Sequence, residues 1–162
     1  MVCKRVRECS EKECKLYGWC QECRLETNNI NVSCSERGKK YNVQNPKKVA
    51  IVKFRIDGGI VRDEKDTCKC DYLYCIKDKE NPTTIFVELK GKNVCHALEQ
   101  IQYSLSMFSK EFDGTRKLAR IICGSVPKMS NDSKAMRIRK QIKQQYNAEL
   151  LIRENKFDEL YF

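Results

Sequence analysis

A chain of 162 residues, 41% of them hydrophobic, is long enough for one domain whose core needs no staples. Roughly 70% of the unfolded surface is buried at that size. Lysine and arginine number 32 against 22 acids, a net charge of +10 that suits a polyanionic partner, nucleic acid before an anionic membrane surface, and equally a solvated surface. No stretch approaches the ~20 apolar residues of a membrane span, and the opening MVCKRVRECSEKEC lacks the apolar core of a secretory signal. A cytoplasmic protein without a membrane partner is expected, its 11 cysteines serving as thiols or metal ligands rather than disulfides.

In chain order, residues 1–45 form a cysteine-rich N-terminal segment, with Cys3, Cys9, Cys14, Cys20, Cys23 and Cys34 within it. Cys20 and Cys23 make a C-x-x-C half-site, and Cys9 and Cys14 can supply the other half of a zinc knuckle. The alternative is a short amphipathic helix around Leu16 and Trp19 that packs its cysteines as small apolar groups on the core. Residues 42–48, NVQNPKK, read as a linker or turn into a second unit, 46–162.

That unit opens on a β-branched strand over residues 49–56, and Asp57-Gly58-Gly59 follows as a tight turn or bulge. Asp57 can serve that turn alone or stand behind a metal. Ile60 to Thr67 leads into DYLYCI at 71–76, the loop KDKENPT ends at Thr83, and TIFVELK at 84–90 closes a hairpin. The period then changes. Val94, Leu98, Ile101, Leu105, Phe108 and Phe112 recur at alternating steps of four and three, the apolar face of a helix. Residues 118–126, LARIICGSV, read as a strand buried on both faces. A second helix over Met136–Tyr146 turns Ala135, Ile138, Ile142 and Tyr146 inward, and LLIRE at 150–154 ends the pattern. The order β-β-β-α-β-α-β predicts an α/β fold with a mixed sheet flanked by helices.

The strand 84–90 carries the chemistry. Alternation puts Phe86, Glu88 and Lys90 on one face and Ile85, Val87 and Leu89 on the other. An acid inside an apolar strand must be paired, hydrated or metal-bound. Asp71 opens the neighbouring strand, so the hairpin brings a second carboxylate close. Two such groups repel and raise each other's pKa unless a cation sits between them. Mg²⁺ or Mn²⁺ suits this oxygen site, with the Leu89 carbonyl as a third ligand and Lys90 at its edge, placed to orient a water. A salt-bridged edge strand would use the same residues without chemistry.

Asp71, then Glu88-Leu89-Lys90, then a helix bearing Gln100 resembles the PD-(D/E)XK phosphodiesterase superfamily, which includes restriction enzymes, junction resolvases and recombination nucleases. The likeness spans residues 49–126, with Cys70 where the motif has proline. It implies a restriction-endonuclease-like core and a Mg²⁺-dependent endonuclease, acting on DNA before RNA and leaving 5′-phosphate and 3′-hydroxyl ends. Asp71 and Glu88 would hold the metal, Lys90 would assist the attacking water, and Gln100 would contact DNA or Lys90. Tyr103 matches the family's following tyrosine only loosely, at Gln-x-x-Tyr spacing. Glu11, Glu13 and Glu22 are available for the helix-borne acid that many members carry. A homodimer, as in members that cut both strands, is a further expectation. The alternative is a catalytically silent nucleic-acid-binding or protein-interaction module on the same fold.

Outside the motif, Arg137, Arg139, Lys140 and Lys143, with Lys134, can line a phosphate backbone. Lys47, Lys48 and Lys53 add positive charge near the first strand. His96, the sole histidine, is expected on the surface, and Cys68, Cys70 and Cys75 as buried thiols rather than ligands.

Overall fold

The computed structural model describes residues 23–61, 68–126 and 132–161, and the backbone of two short strands at 13–14 and 18–19. These last, β1 (Glu13–Cys14) and β2 (Gly18–Trp19), pair antiparallel in place of the short helix expected around Leu16 and Trp19. The central sheet runs β10-β9-β8-β7-β6-β3, from β10 (Ala148–Glu154) through β9 (Arg116–Cys123), β8 (Thr83–Leu89), β7 (Tyr72–Ile76) and β6 (Ile51–Arg55) to β3 (Arg24–Thr27). The β8, β9 and β10 strands are parallel, joined through α1 (Val94–Phe108) and α2 (Ser133–Tyr146). The β8-β7-β6-β3 half is antiparallel.

Strands 8, 9 and 10 step in one direction across the sheet. Right-handed crossovers along one direction put both helices on the same face. Val94, Ala97, Leu98, Ile101, Leu105 and Phe108 of α1, and Ala135, Ile138 and Ile142 of α2, therefore meet Phe54, Leu73, Phe86, Ala119 and Ile121 in one core. A 3-10 turn, Ser109–Phe112, carries the apolar stripe one step further, to a buried Phe112. Each helix starts on a side-chain cap, Asn93 accepting from the His96 N–H and Asp132 from the Ala135 N–H. Asn147 ends α2 in the left-handed conformation at φ 50°.

The opposite face corrects the expectation of a sheet flanked by helices. A second, three-stranded sheet covers it, in the order β11-β5-β4, with β4 (Asn31–Glu36), β5 (Lys39–Gln44) and β11 (Lys156–Leu160). Val32, Cys34, Tyr41 and Val43 pack onto Ile51, Tyr74, Ile85, Val87 and Ile122 of the central sheet. Residues 24–44 are thus largely strand, and the linker expected at 42–48 is in part the end of β5, with Val43 and Asn45 fully buried. The Asn45 amide donates to the Asn29 and Val49 carbonyls and its oxygen accepts from the Val49 N–H, fixing the corner. One polar staple joins the layers. Arg120, 2% exposed, donates to both oxygens of Glu159, and Glu159 also accepts from the Tyr41 hydroxyl. No helix among the described residues is long and apolar enough to cross a membrane.

Candidate active site

Every residue of β8 is buried, because β8 is central in the sheet and covered on both faces. Glu88 sits at its C-terminal end, 1% exposed and on the helix side, in alternation with Phe86. The β7–β8 register pairs Tyr72 with Val87, so the next step outward sets Asp71 opposite Glu88. Asp71 is half-buried, and its Oδ2 accepts from the Leu89 N–H at 2.7 Å. Lys90 lies one residue past the strand. Its amino group is 3.6 Å from Glu88 Oε1 and donates to Gln100 Oε1 at 2.7 Å. The Gln100 amide donates in turn to the Lys69 carbonyl at 2.9 Å. Asp71, Glu88, Lys90 and Gln100 therefore form one cluster. Leu89 lies within it, its side chain turned into the core between the sheets.

The backbone around Lys90 is tightly held. Its N–H donates to the Ile122 carbonyl at 2.8 Å, and the Gly124 N–H donates to Gly91 O at 2.6 Å. A Cβ on residue 124 would stand 2.8 Å from that same oxygen, so this approach requires glycine.

Charge at the cluster is unbalanced. Burial, then the Asp71 charge, push the Glu88 carboxyl up to about 9, against the pull of Lys90. Burial also lifts Asp71 to about 6, opposed by the Leu89 N–H and assisted by the charges of Glu36 and Asp57. Glu88 Oε2 is buried with no hydrogen-bond partner. Such an oxygen is costly to bury unless a proton, a water or a cation meets it.

Glu36 was not legible as a site residue. It lies at the end of β4, where Arg37 and Gly38 turn the hairpin at positive φ, and its charge reaches both Asp71 and Glu88. The signal was available in the alternation Val32, Cys34, Glu36, but using it requires knowing that β4 lies over the central sheet. The side chains of Glu11, Glu13 and Glu22, expected to supply a helix-borne acid, lie outside the described residues, while Glu36, exposed and paired with Arg37, acts on the cluster through its charge alone. Asp57 stays on its turn, where Gly58 adopts φ 68°, exposed and 3.4 Å from the amino group of Lys69.

The remaining candidates lie apart. Arg137, Arg139, Lys140 and Lys143 are exposed along α2. Tyr103 is exposed on α1. The side chains of Cys9, Cys14 and Cys20 lie outside the described residues, and Cys23 is buried in the helix-side core. Cys70 is fully buried, as expected, whereas Cys68 and Cys75 are only half-buried. Cys68 departs from the expected buried thiol, whereas the His96 side chain, 40% exposed, lies at the surface as expected. Together with Glu99 they form a group that can hold a metal ion, their ligand atoms all within 4.8 Å of one another. The chain matches no family model, no curated protein and no solved structure.

Proposed function

We propose that this protein is a metal-dependent phosphodiesterase that hydrolyses nucleic acid, DNA before RNA. The observation that carries the reading is the partnerless Glu88 Oε2, buried opposite Asp71 with a lysine at its side. Asp71 and Glu88 would hold a hard divalent ion, Mg²⁺ or Mn²⁺, since both offer only oxygen donors. When bound, such an ion supplies positive charge to the phosphate and acidity to a water. Glu36 adds negative charge that favours a cation at the same place. The Lys90 amino group keeps one donor on Gln100 and faces Glu88 with a second, leaving a third to hold a water or a phosphate oxygen. The Lys69–Gln100–Lys90 chain of hydrogen bonds fixes the direction of that amino group. The exposed cations of α2 would take the flanking backbone phosphates without reading sequence.

The test incubates the full chain with plasmid and single-stranded substrates, with Mg²⁺, with Mn²⁺ and with chelator. Cleavage only with metal, lowered at least about a hundredfold in folded Asp71→Ala and Lys90→Ala variants, is the expected result. Tight binding without cutting under every condition would overturn it in favour of a silent nucleic-acid-binding module.

A further inference from the structure

The segment that delivers Asp71 to the cluster is docked along α1. The Cys70 N–H donates to the Ser104 hydroxyl at 2.9 Å, and the Lys69 carbonyl accepts from Gln100. One residue earlier, Cys68 Sγ stands 3.9 Å from His96 Nδ1, and the same nitrogen is 3.4 Å from Glu99 Oε2. An Nδ1 proton can be shared well with only one of these two partners. A single ion would satisfy all three atoms. In a tetrahedral zinc site, bond lengths of about 2.0–2.3 Å put neighbouring ligand atoms about 3.3–3.6 Å apart; the two pairs at His96 stand at 3.9 and 3.4 Å and all three atoms lie within 4.8 Å, so small side-chain rotations close the set on one ion. The ligands are also held in place. Glu99 Oε1 is paired with Lys134, leaving Oε2 toward His96, and the His96 backbone is pinned by the Asn93 cap. Such outer partners are what orient metal ligands.

We propose that Cys68, His96 and Glu99 bind one divalent ion of the zinc class, and that this ion clamps the 68–71 segment to α1. Sulfur and imidazole select zinc over magnesium, so this site and the oxygen pair of Asp71 and Glu88 take different metals. Water fills the fourth position. Cys68 enters as the thiol, binds as the thiolate and releases its proton to solvent, with no change of oxidation state. The ion adds a third tie beside the Cys70–Ser104 and Lys69–Gln100 bonds. Cys68 and His96 are thus positioning residues for Lys90, acting through Lys69 and Gln100.

The experiment needs no nucleic acid, so its outcome is separate from that of the cleavage assay. The full chain is loaded with zinc, desalted and assayed for bound metal, then titrated with Co²⁺ to look for thiolate-to-cobalt charge-transfer absorption. Cys68→Ser and His96→Ala, each with a native circular-dichroism spectrum, should bind one equivalent less than the parent chain, whatever the N-terminal cysteines hold. Glu99→Gln should weaken binding at least tenfold. Zinc should slow amide hydrogen exchange over residues 68–71 in the parent and not in Cys68→Ser. Equal stoichiometry and equal cobalt spectra in the parent, Cys68→Ser and His96→Ala would overturn the proposal. Should Cys68→Ser misfold, His96→Ala decides alone, since that side chain is 40% exposed and lies outside the apolar core.

Discussion

Glu88 holds a proton across a range where an ordinary glutamate has lost it. Its carboxyl is pushed from an ordinary 4.5 to about 9 in the folded protein. Between those values the folded chain keeps a proton that the unfolded chain releases, so raising the pH through this window favours unfolding. Asp71 acts in the same direction over a lower window, from 3.8 to about 6. The melting temperature of the metal-free protein should therefore fall from about pH 5 to about pH 9. Glu88→Gln should flatten that decline, and millimolar Mg²⁺ should restore stability at the alkaline end of the parent profile alone. Scanning calorimetry in chelator and in Mg²⁺ checks all three. At the same scale, Lys90→Ala should lower cleavage by about 10²–10⁴-fold, the range of a lost proton-handling group. Gln100→Ala should lose less and shift the pH–rate profile, because it frees Lys90 without removing it. That Asp71, Glu88, Lys90 and Gln100 come together could be read from sequence: a charged pair inside an apolar strand breaks a local rule, the hairpin adds Asp71, and the resemblance adds Gln100. Glu36 and Cys68 could not, since each reaches its neighbours only through contacts distant along the chain.

Elements differ in how far their patterns reveal them. The β6–β10 strands follow from short runs of apolar, β-branched and aromatic residues, and both helices from period-3.6 apolar stripes. The outer sheet does not. In β4, only Val32 and Cys34 alternate with polar residues, too short an apolar face to stand out within the cysteine-rich segment. In β11, KFDEL shows no apolar face of its own, only Phe157 packed at the margin of the core. What holds β11 is a buried charge. Glu159→Ala would leave the buried Arg120 guanidinium only the Glu149 carboxylate at 3.3 Å and two backbone carbonyls, and should cost about 1–3 kcal/mol, measured by denaturant unfolding. Replacing Gly124 by alanine pushes on the Gly91 carbonyl next to Lys90. We expect a loss of about 1–3 kcal/mol, together with reduced cleavage, because the strain lies beside the lysine.

For the whole molecule, the net charge of +10 coexists with a candidate site whose own carboxylates repel one another. Affinity for nucleic acid should fall steeply with salt. Removing Arg137, Arg139, Lys140 and Lys143 together should reduce the slope of log affinity against log salt by about 0.9 for each phosphate these side chains neutralise, read by fluorescence anisotropy. An unchanged slope would place the phosphate track elsewhere. Topology leaves its own mark. Asn42 bonds to Asp158 across 116 residues of chain, and β11 lies parallel beside β5 as the third strand of the outer sheet. A nascent chain leaving the ribosome must therefore keep the β4–β5 hairpin waiting, one edge unpaired, until residues 156–160 have been synthesised. Closure of so distant a pair is entropically slow, which makes the exposed hairpin the natural place for a chaperone to act or for aggregation to begin.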